Sequence, residues 1–157
     1  MHDRRIHFMR EALRLADAAA QVGEVPIGAV VVRGDEIVGR GHNLRESNQD
    51  PTAHAEIFAL REAAGRIGSW RLEGCSVFVT LEPCAMCAGA MVLARIESCI
   101  FGCTDPKGGF LGTFGDLAHW PGLNHHFDVV AGVEEADCRG RLQAFFRTLR
   151  ADKTSPT

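Results

Sequence analysis

Short β-rich runs alternate with helix signatures along this chain of 157 residues, and this alternation restricts the fold more than any other feature. The first two runs are joined by Gly34 and Asp35, a pair typical of a β-hairpin turn. Helix signatures between the later runs predict parallel pairing through right-handed crossovers, with helices on both faces. We therefore expect an α/β fold with three layers, α/β/α, around a central mixed five-stranded sheet. The β-rich runs are 28–33, 36–41, 76–80, 98–103 and 127–133.

Capping residues and glycines indicate where the helices begin and end. Gly23 ends an amphipathic first helix. Asp50 is interpreted as the N-cap and Pro51 as the first residue of the second helix, and Pro83 is interpreted as the first residue of the third. The predicted helices run from Arg4 to Val22, from Asp50 through Ala64, from Pro83 through Leu93 and from about Glu134 to Arg150.

Residues 103–126 form a long connection with five glycines and two prolines. A connection of this length inside a compact domain is usually a functional loop. Within it, only FGDLAHW at 114–120 is compatible with a helical turn. The chain length suits one domain over 1–157. We expect residues 151–157 to fray at its end.

The composition is that of a soluble globular domain, with 46% apolar and 24% charged residues. A formal net charge of -3 argues against a generally cationic nucleic-acid coat, although a local basic patch is compatible with it. The start of the chain, MHDRRIHFMREAL, lacks the apolar core of a secretory signal, and no apolar stretch is long enough for a membrane helix. Six cysteines in such a chain indicate reduced thiols in the cytoplasm. Clustered cysteines therefore favour metal binding or catalysis over disulfides.

Cys84 and Cys87 form a CxxC pair directly after Pro83. Backbone N–H groups and the helix dipole favour anions at a helix start, so both thiols are expected to ionise easily. The spacing alone is compatible with a dithiol oxidoreductase, with a structural or catalytic zinc site and with two buried thiols that have no function. The pair by itself leaves these alternatives open.

A possible third ligand, His54, favours a catalytic metal site. His54 lies near the predicted start of the second helix, and neighbouring helix N-termini in an open α/β sheet converge at the carboxyl ends of the strands. One imidazole and two thiolates make three ligands, and catalytic zinc keeps three protein ligands with the fourth position open for water. The remaining cysteines are predicted to be buried thiols: Cys75, Cys99, Cys103 and Cys138.

Glu56 lies two residues after His54, and residues two apart within a helix point away from each other. Both side chains can address one metal only if the helix is just beginning, which predicts a helix boundary within a residue or two of His54. Zinc lowers the pKa of its bound water to about 7, and a neighbouring carboxylate can take the proton. Glu56 is therefore predicted to be a proton shuttle and not a ligand.

Four segments of the sequence match a known pattern: DPTAHAE at 50–56, TLEPCAMCAGAM at 80–91, FGCTDPKGG at 101–109 and FFR at 145–147. They resemble the tRNA-specific adenosine deaminases, which belong to the cytidine/deoxycytidylate deaminase-like family of zinc deaminases. The resemblance extends from the first helix to the last. It implies a cytidine deaminase-like fold and a single zinc-dependent deaminase domain over 1–157. It also implies one zinc ion per chain, bound by His54, Cys84 and Cys87, with Glu56 transferring protons.

The same resemblance implies roles in substrate binding for three more residues. Asn43 matches an asparagine that binds the base, and Asp105 matches a position on the rim where the flipped nucleotide enters. Arg147 belongs to the matching FFR segment. Between Arg139 and Lys153 there are five basic residues and one acidic residue, a composition that by itself favours a solvated basic face. The resemblance at FFR instead implies an RNA-contacting face on the last helix that includes Arg147.

The activity implied by the resemblance is hydrolytic deamination of adenosine to inosine at the wobble position of a tRNA anticodon. The family implies an arginine tRNA as substrate and a homodimer as the assembly. The alternative is a free-base or nucleoside deaminase of the same fold, acting on guanine or cytidine. The leucine of TLEPCAMC, the DPKGG loop and the basic last helix favour the RNA substrate.

Overall fold

The computed structural model of the chain describes residues 2–154, which hold five strands, five α-helices and one 3-10 turn at Leu117–His119. The strands are β1 (Gly28–Arg33), β2 (Glu36–His42), β3 (Cys75–Leu81), β4 (Ser98–Cys103) and β5 (Asp128–Val130). The helices are α1 (His2–Gln21), α2 (Arg45–Asn48), α3 (Ala55–Ile67), α4 (Ala85–Ala94) and α5 (Glu135–Thr154).

The strands form one sheet in the order β2-β1-β3-β4-β5. β1 is antiparallel to β2 and to β3, whereas β3, β4 and β5 are parallel to one another. Because both neighbours of β1 run against it, β2 and β3 run in the same direction. The carboxyl ends of β2, β3, β4 and β5 therefore lie at one edge of the sheet. Open α/β sheets bind ligands at this edge.

Helices cover both faces of the sheet. Successive strand residues point to opposite faces. Val31 and Val77 pack in a core with α3 and α4, and Val32 and Phe78 pack in a second core with α1 and α5. Burial of each such side chain contributes about 1.5–3 kcal/mol relative to exposure. The predicted three-layer α/β/α architecture around a mixed five-stranded sheet is confirmed.

The second predicted helix begins later than its capping residues indicated. α3 starts at Ala55, and its N-cap, His54, has an extended backbone. The Asp50 carboxylate instead accepts hydrogen bonds from the N–H and O–H of Thr52, at 2.8 and 2.7 Å, so it stabilises a turn. The assignment of Asp50 and Pro51 to the helix start was wrong, because a fixed proline φ suits a turn as well as a first helical turn. The predicted boundary near His54 is confirmed.

The third predicted helix also begins later. α4 starts at Ala85, with Cys84 as an extended N-cap, so Pro83 lies outside the helix. Its carbonyl accepts a hydrogen bond from the N–H of Phe110 at 2.9 Å. The prediction that Pro83 is the first helical residue was wrong by two positions. Proline here precedes the cap and contacts the long connection.

Three other segments differ from the predictions. β5 is shorter than the predicted strand 127–133, and Gly132, two residues after its end, has a φ of +86. α5 continues past Arg150 to Thr154, and the rest of the predicted frayed tail, 155–157, lies outside the described residues. α2 was not predicted, because the four residues RESN have no apolar periodicity. No described helix combines the length and the apolar character needed to cross a bilayer.

Candidate active site

Two of the candidate ligands are N-cap residues. His54 precedes α3 and Cys84 precedes α4. α3 follows β2 through the α2 segment and α4 follows β3, so both helix starts lie at the shared carboxyl edge of the sheet. Cys87 is the third residue of α4 and is completely buried. The sheet topology thus brings together residues that are about thirty positions apart in the sequence.

His54, Cys84 and Cys87 form a group that could hold a metal ion. The Nδ1 atom of His54 lies 3.6 Å from the Sγ atom of Cys84 and 3.6 Å from that of Cys87. All three atoms lie within 4.8 Å of one another. Tetrahedral zinc, with Zn–S of about 2.3 Å and Zn–N of about 2.0–2.1 Å, places N and S about 3.6 Å apart. The two N–S separations therefore fit a zinc ion without rearrangement of these side chains.

The two thiols of this group influence each other's ionisation. A hydrogen bond from Cys87, supported by one from His54, outweighs partial burial and lowers the pKa of Cys84 to about 4. The hydrogen bond to Cys84, together with burial, raises the pKa of Cys87. The hydrogen bond to Cys84 also raises the pKa of His54. The Cys84 thiol therefore loses its proton easily. A metal that binds both sulfur atoms must also displace the proton of Cys87.

Glu56 is the second residue of α3 and is only 4% exposed. Burial, assisted by the nearby charge of Cys84, raises the pKa of Glu56 to about 7. The Cys87 thiol hydrogen-bonds to its carboxylate, which places that carboxylate beside the candidate ligands. A carboxyl group with a pKa near 7 can both accept and donate a proton at neutral pH.

These groups open into a cavity of about 850 Å³. Six of the seven predicted site residues line it, and the seventh, Cys87, is buried. The six are Asn43, His54, Glu56, Cys84, Asp105 and Arg147. Basic side chains are prominent in the wall although the chain has a formal charge of -3. They are Arg45, Lys107, Arg139, Arg147 and Arg150.

Asn43 follows β2 directly and is 6% exposed. Its Oδ1 atom accepts a hydrogen bond from the N–H of Arg45 at 3.1 Å, and its Nδ2 atom donates to the carbonyl of Val25 at 3.4 Å. An asparagine amide has two N–H donors and two acceptor lone pairs. These two bonds hold the side chain in place and leave one donor and one lone pair for a ligand in the cavity.

The rim of the cavity is formed by two segments. One is the rim loop, residues 104–116, in which the Asp105 carboxylate accepts a hydrogen bond from the N–H of Lys107 at 2.9 Å. The other is α5, which contributes the exposed Arg147 and Phe146, the latter 40% exposed. The rim thus combines an acidic side chain, four basic side chains and an aromatic ring.

Comparison with known proteins identifies the family. A family model for MafB19-like deaminases matches residues 3–150. The tRNA-specific adenosine deaminase of Bacillus subtilis (strain 168) is 53% identical over 146 residues, which are 93% of this chain and 91% of that protein. The chain belongs to the tRNA-specific adenosine deaminase family. The family predicted from the sequence motifs is thereby confirmed.

Solved structures of other deaminases have the same fold as this chain. A tRNA:A34 deaminase, studied for A-to-I editing at the wobble position of transfer RNA, has a TM-score of 0.83 and 41% identity to it. That similarity covers 87% of this chain and 99% of the solved one. A guanine deaminase from Bacillus subtilis has a TM-score of 0.60 and 35% identity, over 62% of this chain and 63% of the other. The predicted cytidine deaminase-like fold is confirmed.

Two buried acids of this deaminase were missed by the sequence analysis. Glu24 is 1% exposed, and its carboxylate accepts hydrogen bonds from the N–H groups of Glu46 and Ser47 at 3.2 and 2.6 Å. Burial opposes its ionisation, but these bonds outweigh burial and lower the pKa of Glu24. Glu82 is 2% exposed and bonds to the rim loop. In the sequence, the available signal was that each glutamate lies two residues past the end of a predicted helix or strand.

Proposed function

We propose that this chain is a zinc-dependent enzyme, built as one deaminase domain, that converts adenosine to inosine at the wobble position of a tRNA anticodon. One observation carries the proposal. A zinc-compatible ligand set and a buried carboxyl group lie in a cavity whose wall also carries five basic side chains. A metal site alone would suit many hydrolases, and a basic wall alone would suit many RNA-binding proteins. Both in one cavity suit an enzyme that acts on a base within RNA.

His54, Cys84 and Cys87 would hold one zinc ion per chain. Zinc bound in such a site lowers the pKa of a coordinated water to about 7 and so supplies a nucleophile at neutral pH. The Glu56 carboxylate would accept a proton from the water as the water oxygen bonds to C6 of the adenine, and would pass this proton to ring nitrogen N1. Glu56 would then take the proton of the new C6 hydroxyl group and give it to the amino group, which leaves as ammonia when the C6–N bond breaks. Its raised pKa of about 7 suits both steps.

Asn43 is proposed to hold the base for this reaction. Its amide keeps one N–H and one lone pair beyond the bonds to Val25 and Arg45, and it lines the cavity beside Glu56. A purine edge offers complementary acceptor and donor atoms. The two existing bonds prevent rotation of the amide, so its free atoms have a fixed direction before the base arrives.

The RNA around the base is proposed to lie against α5 and the rim loop. Arginine pairs with phosphate through its planar guanidinium group, and Arg139, Arg147 and Arg150 line the same side of the cavity from one helix. The half-exposed ring of Phe146 lines it as well and can stack on an unstacked loop base. An anticodon nucleotide is already unpaired, so placing it in the cavity costs less than flipping a base from a duplex.

An arginine tRNA, a homodimer and a cytoplasmic location complete the proposal. The identity of the tRNA is implied by the family motifs. A dimer is supported by large apolar side chains that are exposed on the single chain: Trp70 at 60%, Leu93 at 69% and Phe114 at 60%. Contact with a second copy would remove such surface from water. A tRNA substrate would place the enzyme in the cytoplasm.

The second candidate is deamination of a free base or nucleoside, and the similarity to a guanine deaminase favours guanine for that candidate. A small substrate has no use for the arginines that line this cavity from α5. A dithiol oxidoreductase would use Cys84 and Cys87 but leaves Glu56 without a role. A structural zinc module would need a fourth protein ligand, and the candidate group among the described residues has three.

The deciding experiment compares wild-type protein and Glu56→Ala on an anticodon stem-loop containing a wobble adenosine. Wild-type protein is expected to contain about one zinc per chain and to form inosine. Glu56→Ala is expected to keep its zinc and to lose turnover by about 10²–10⁴-fold, the usual contribution of a positioned acid–base group. Glu62→Ala, on the exposed side of the same helix, is the matched control and should retain both.

Three outcomes would overturn the proposal. Full activity of metal-free protein would exclude the zinc mechanism. Loss of zinc with an unchanged rate in Glu56→Ala would exclude the assigned role of Glu56. Activity on guanine or cytidine, with none on the stem-loop, would move the protein to the second candidate class.

A further inference from the structure

Glu82 places a buried carboxylate between α4 and the rim loop. It follows β3 and precedes Pro83, and its side chain is 2% exposed. Its backbone N–H donates to the carbonyl of Cys103 at 2.8 Å, which continues the pairing of β3 with β4 beyond the strand. The Glu82 backbone is therefore fixed by the sheet, and its side chain starts from a rigid position.

Four hydrogen bonds to this carboxylate come from the rim loop. The Oε1 atom accepts from the N–H of Asp105 at 3.0 Å and from the hydroxyl of Thr113. The Oε2 atom accepts from the N–H of Leu111 at 3.0 Å and from that of Thr113 at 3.1 Å. The donors come from both ends of the 105–113 segment, so one side chain closes this part of the loop. With four donors on two oxygens, little accepting capacity is left for a substrate.

Gly109 shows that the loop is shaped around this carboxylate. A Cβ on residue 109 would lie 2.3 Å from Cδ of Glu82, 2.4 Å from Oε1 and 2.5 Å from Oε2. Those atoms cannot move aside without breaking the four bonds. Gly108, the preceding residue, differs, because a Cβ there would meet only Oδ2 of Asp105, at an ordinary distance of 3.5 Å. The close approach is therefore specific to residue 109.

The bonds to Glu82 determine where Asp105 lies. The N–H of Asp105 is held by Glu82, and the Asp105 carboxylate in turn holds the N–H of Lys107. Asp105 and Lys107 both line the cavity on its rim. The N–H of Phe110 also donates to the carbonyl of Pro83 at 2.9 Å, next to the candidate ligand Cys84. One buried group thus links the start of the metal-binding helix to the rim where the nucleotide would enter.

We propose that Glu82 is a positioning residue for substrate binding, which holds the rim loop so that Asp105 and Lys107 face the cavity, and that Gly109 provides the space this carboxylate needs. The effect of Glu82 on turnover rests on the function proposed above. The effect of Glu82 on the loop is independent of that function. Glu82 touches neither substrate nor metal in this scheme and acts through the loop.

The test begins with Glu82→Gln, which keeps the side-chain volume and replaces one acceptor oxygen by a donor group. The loop donors that faced that oxygen lose their acceptor, so amide hydrogen exchange in 105–113 should accelerate by roughly tenfold or more. Zinc content should stay at the wild-type value. With the anticodon stem-loop, KM should rise by roughly tenfold while kcat changes less, because binding and not proton transfer depends on the loop. Glu82→Asp, which restores the charge, should recover part of the loss.

A double-mutant cycle separates positioning from general support of the fold. If Glu82 acts through Asp105, then Glu82→Gln should have little further effect on KM in an Asp105→Ala background. Gly109→Ala should reproduce the faster exchange and the raised KM, and Gly108→Ala should behave like wild-type protein. This glycine pair tests the proposal even if Glu82→Gln fails to fold.

Specific results would overturn the proposal. Unchanged exchange in 105–113 in both Glu82→Gln and Gly109→Ala would show that the carboxylate does not hold the loop. Additive effects of Glu82→Gln and Asp105→Ala, or a loss of zinc in proportion to activity, would show structural support of the metal helix instead. If wild-type protein fails to deaminate the stem-loop, the proposed function fails, and the exchange data still decide the role of Glu82 in the loop.

Discussion

Gly41 of β2 packs so closely against Ala55 that a Cβ on residue 41 would lie 2.2 Å from the Ala55 carbonyl oxygen. Ala55 is the first residue of α3 and stands between His54 and Glu56. The strand therefore supports the one helical turn that carries a candidate ligand and the candidate proton shuttle. Any side chain at residue 41 must push that turn away from the sheet.

Gly41→Ala is expected to lower both stability and metal affinity. The added methyl group meets helix backbone, which cannot rotate aside, and such overpacking costs about 1–3 kcal/mol or more. Urea unfolding and a zinc-binding titration measure the two effects. Gly65→Ala is the control, because residue 65 of the same helix has open space and alanine there should stabilise by roughly 0.5–1 kcal/mol. Equal stability of Gly41→Ala and wild-type protein would contradict the close packing.

Removing one candidate ligand is expected to remove the metal. Cys87→Ala leaves only His54 and Cys84, so zinc affinity should fall by more than the roughly 10–100-fold that loss of a supporting residue costs. The measurement is zinc per chain after dialysis against a weak chelator. Cys75→Ala is the control, since this buried cysteine lies outside the candidate group. Zinc loss in the control, or zinc retained in Cys87→Ala, would place the metal elsewhere.

Much of the fold was predictable because local signals and tertiary structure agree. β1 and the beginning of β2 match their predicted limits, since β-rich runs on both sides of the Gly34 turn determine a hairpin almost without help from the rest of the chain. The His54, Cys84 and Cys87 group was predictable for a different reason. Strand direction in an α/β sheet brings helix starts to one edge, so the order of elements implies their proximity. The predicted burial of the other four cysteines is also confirmed.

Other features could not be predicted from the sequence. Pro51 satisfies a turn and a helix start equally well, so the true N-cap of α3 could be located only through the separate argument from Glu56. The bonds from Glu82 to residues 105–113 depend on how a long glycine-rich loop folds back, and no local pattern determines that path. Glu24 likewise has partners more than twenty positions away. The roles assigned to Asn43, Asp105 and Arg147 stay predictions.

Glu24→Gln is expected to produce a pH-dependent loss of stability. The folded-state pKa of Glu24 is lowered, because hydrogen bonds from Ser47 and Glu46 outweigh burial. A lowered pKa stabilises the fold above the unfolded value of about 4.3, and that contribution disappears as pH falls through the folded value. Near pH 7 the variant should be less stable by about 1–3 kcal/mol. The gap should stay constant down to about pH 5.5 and shrink below about pH 4.

Urea unfolding of wild-type protein and Glu24→Gln across this pH range measures the difference in their free energies of unfolding. Release of metal at low pH affects both proteins and cancels in the difference. A gap that widens on acidification would show that Glu24 is not held as a carboxylate by these bonds.

Arg147→Gln is expected to weaken RNA binding in a salt-dependent way. Arg147 is exposed on α5 and lines the cavity beside Phe146, where the RNA backbone is proposed to lie. Each phosphate contact with single-stranded nucleic acid contributes about 0.7 to the slope of log K against log salt. Binding of the stem-loop to protein that also carries Glu56→Ala, which prevents turnover, should therefore lose about 0.7 in slope. Affinity should fall by roughly tenfold at low salt.

Arg14→Gln is the matched control for this charge. Arg14 lies on α1, its side chain is 74% exposed, and it does not line the cavity. Replacing Arg14 changes the net charge by the same amount as replacing Arg147. If the slope of log K against log salt is unchanged in Arg14→Gln and reduced in Arg147→Gln, the RNA lies on the α5 side. The reverse result would place the RNA on another face and would remove the main support for an RNA substrate at this cavity.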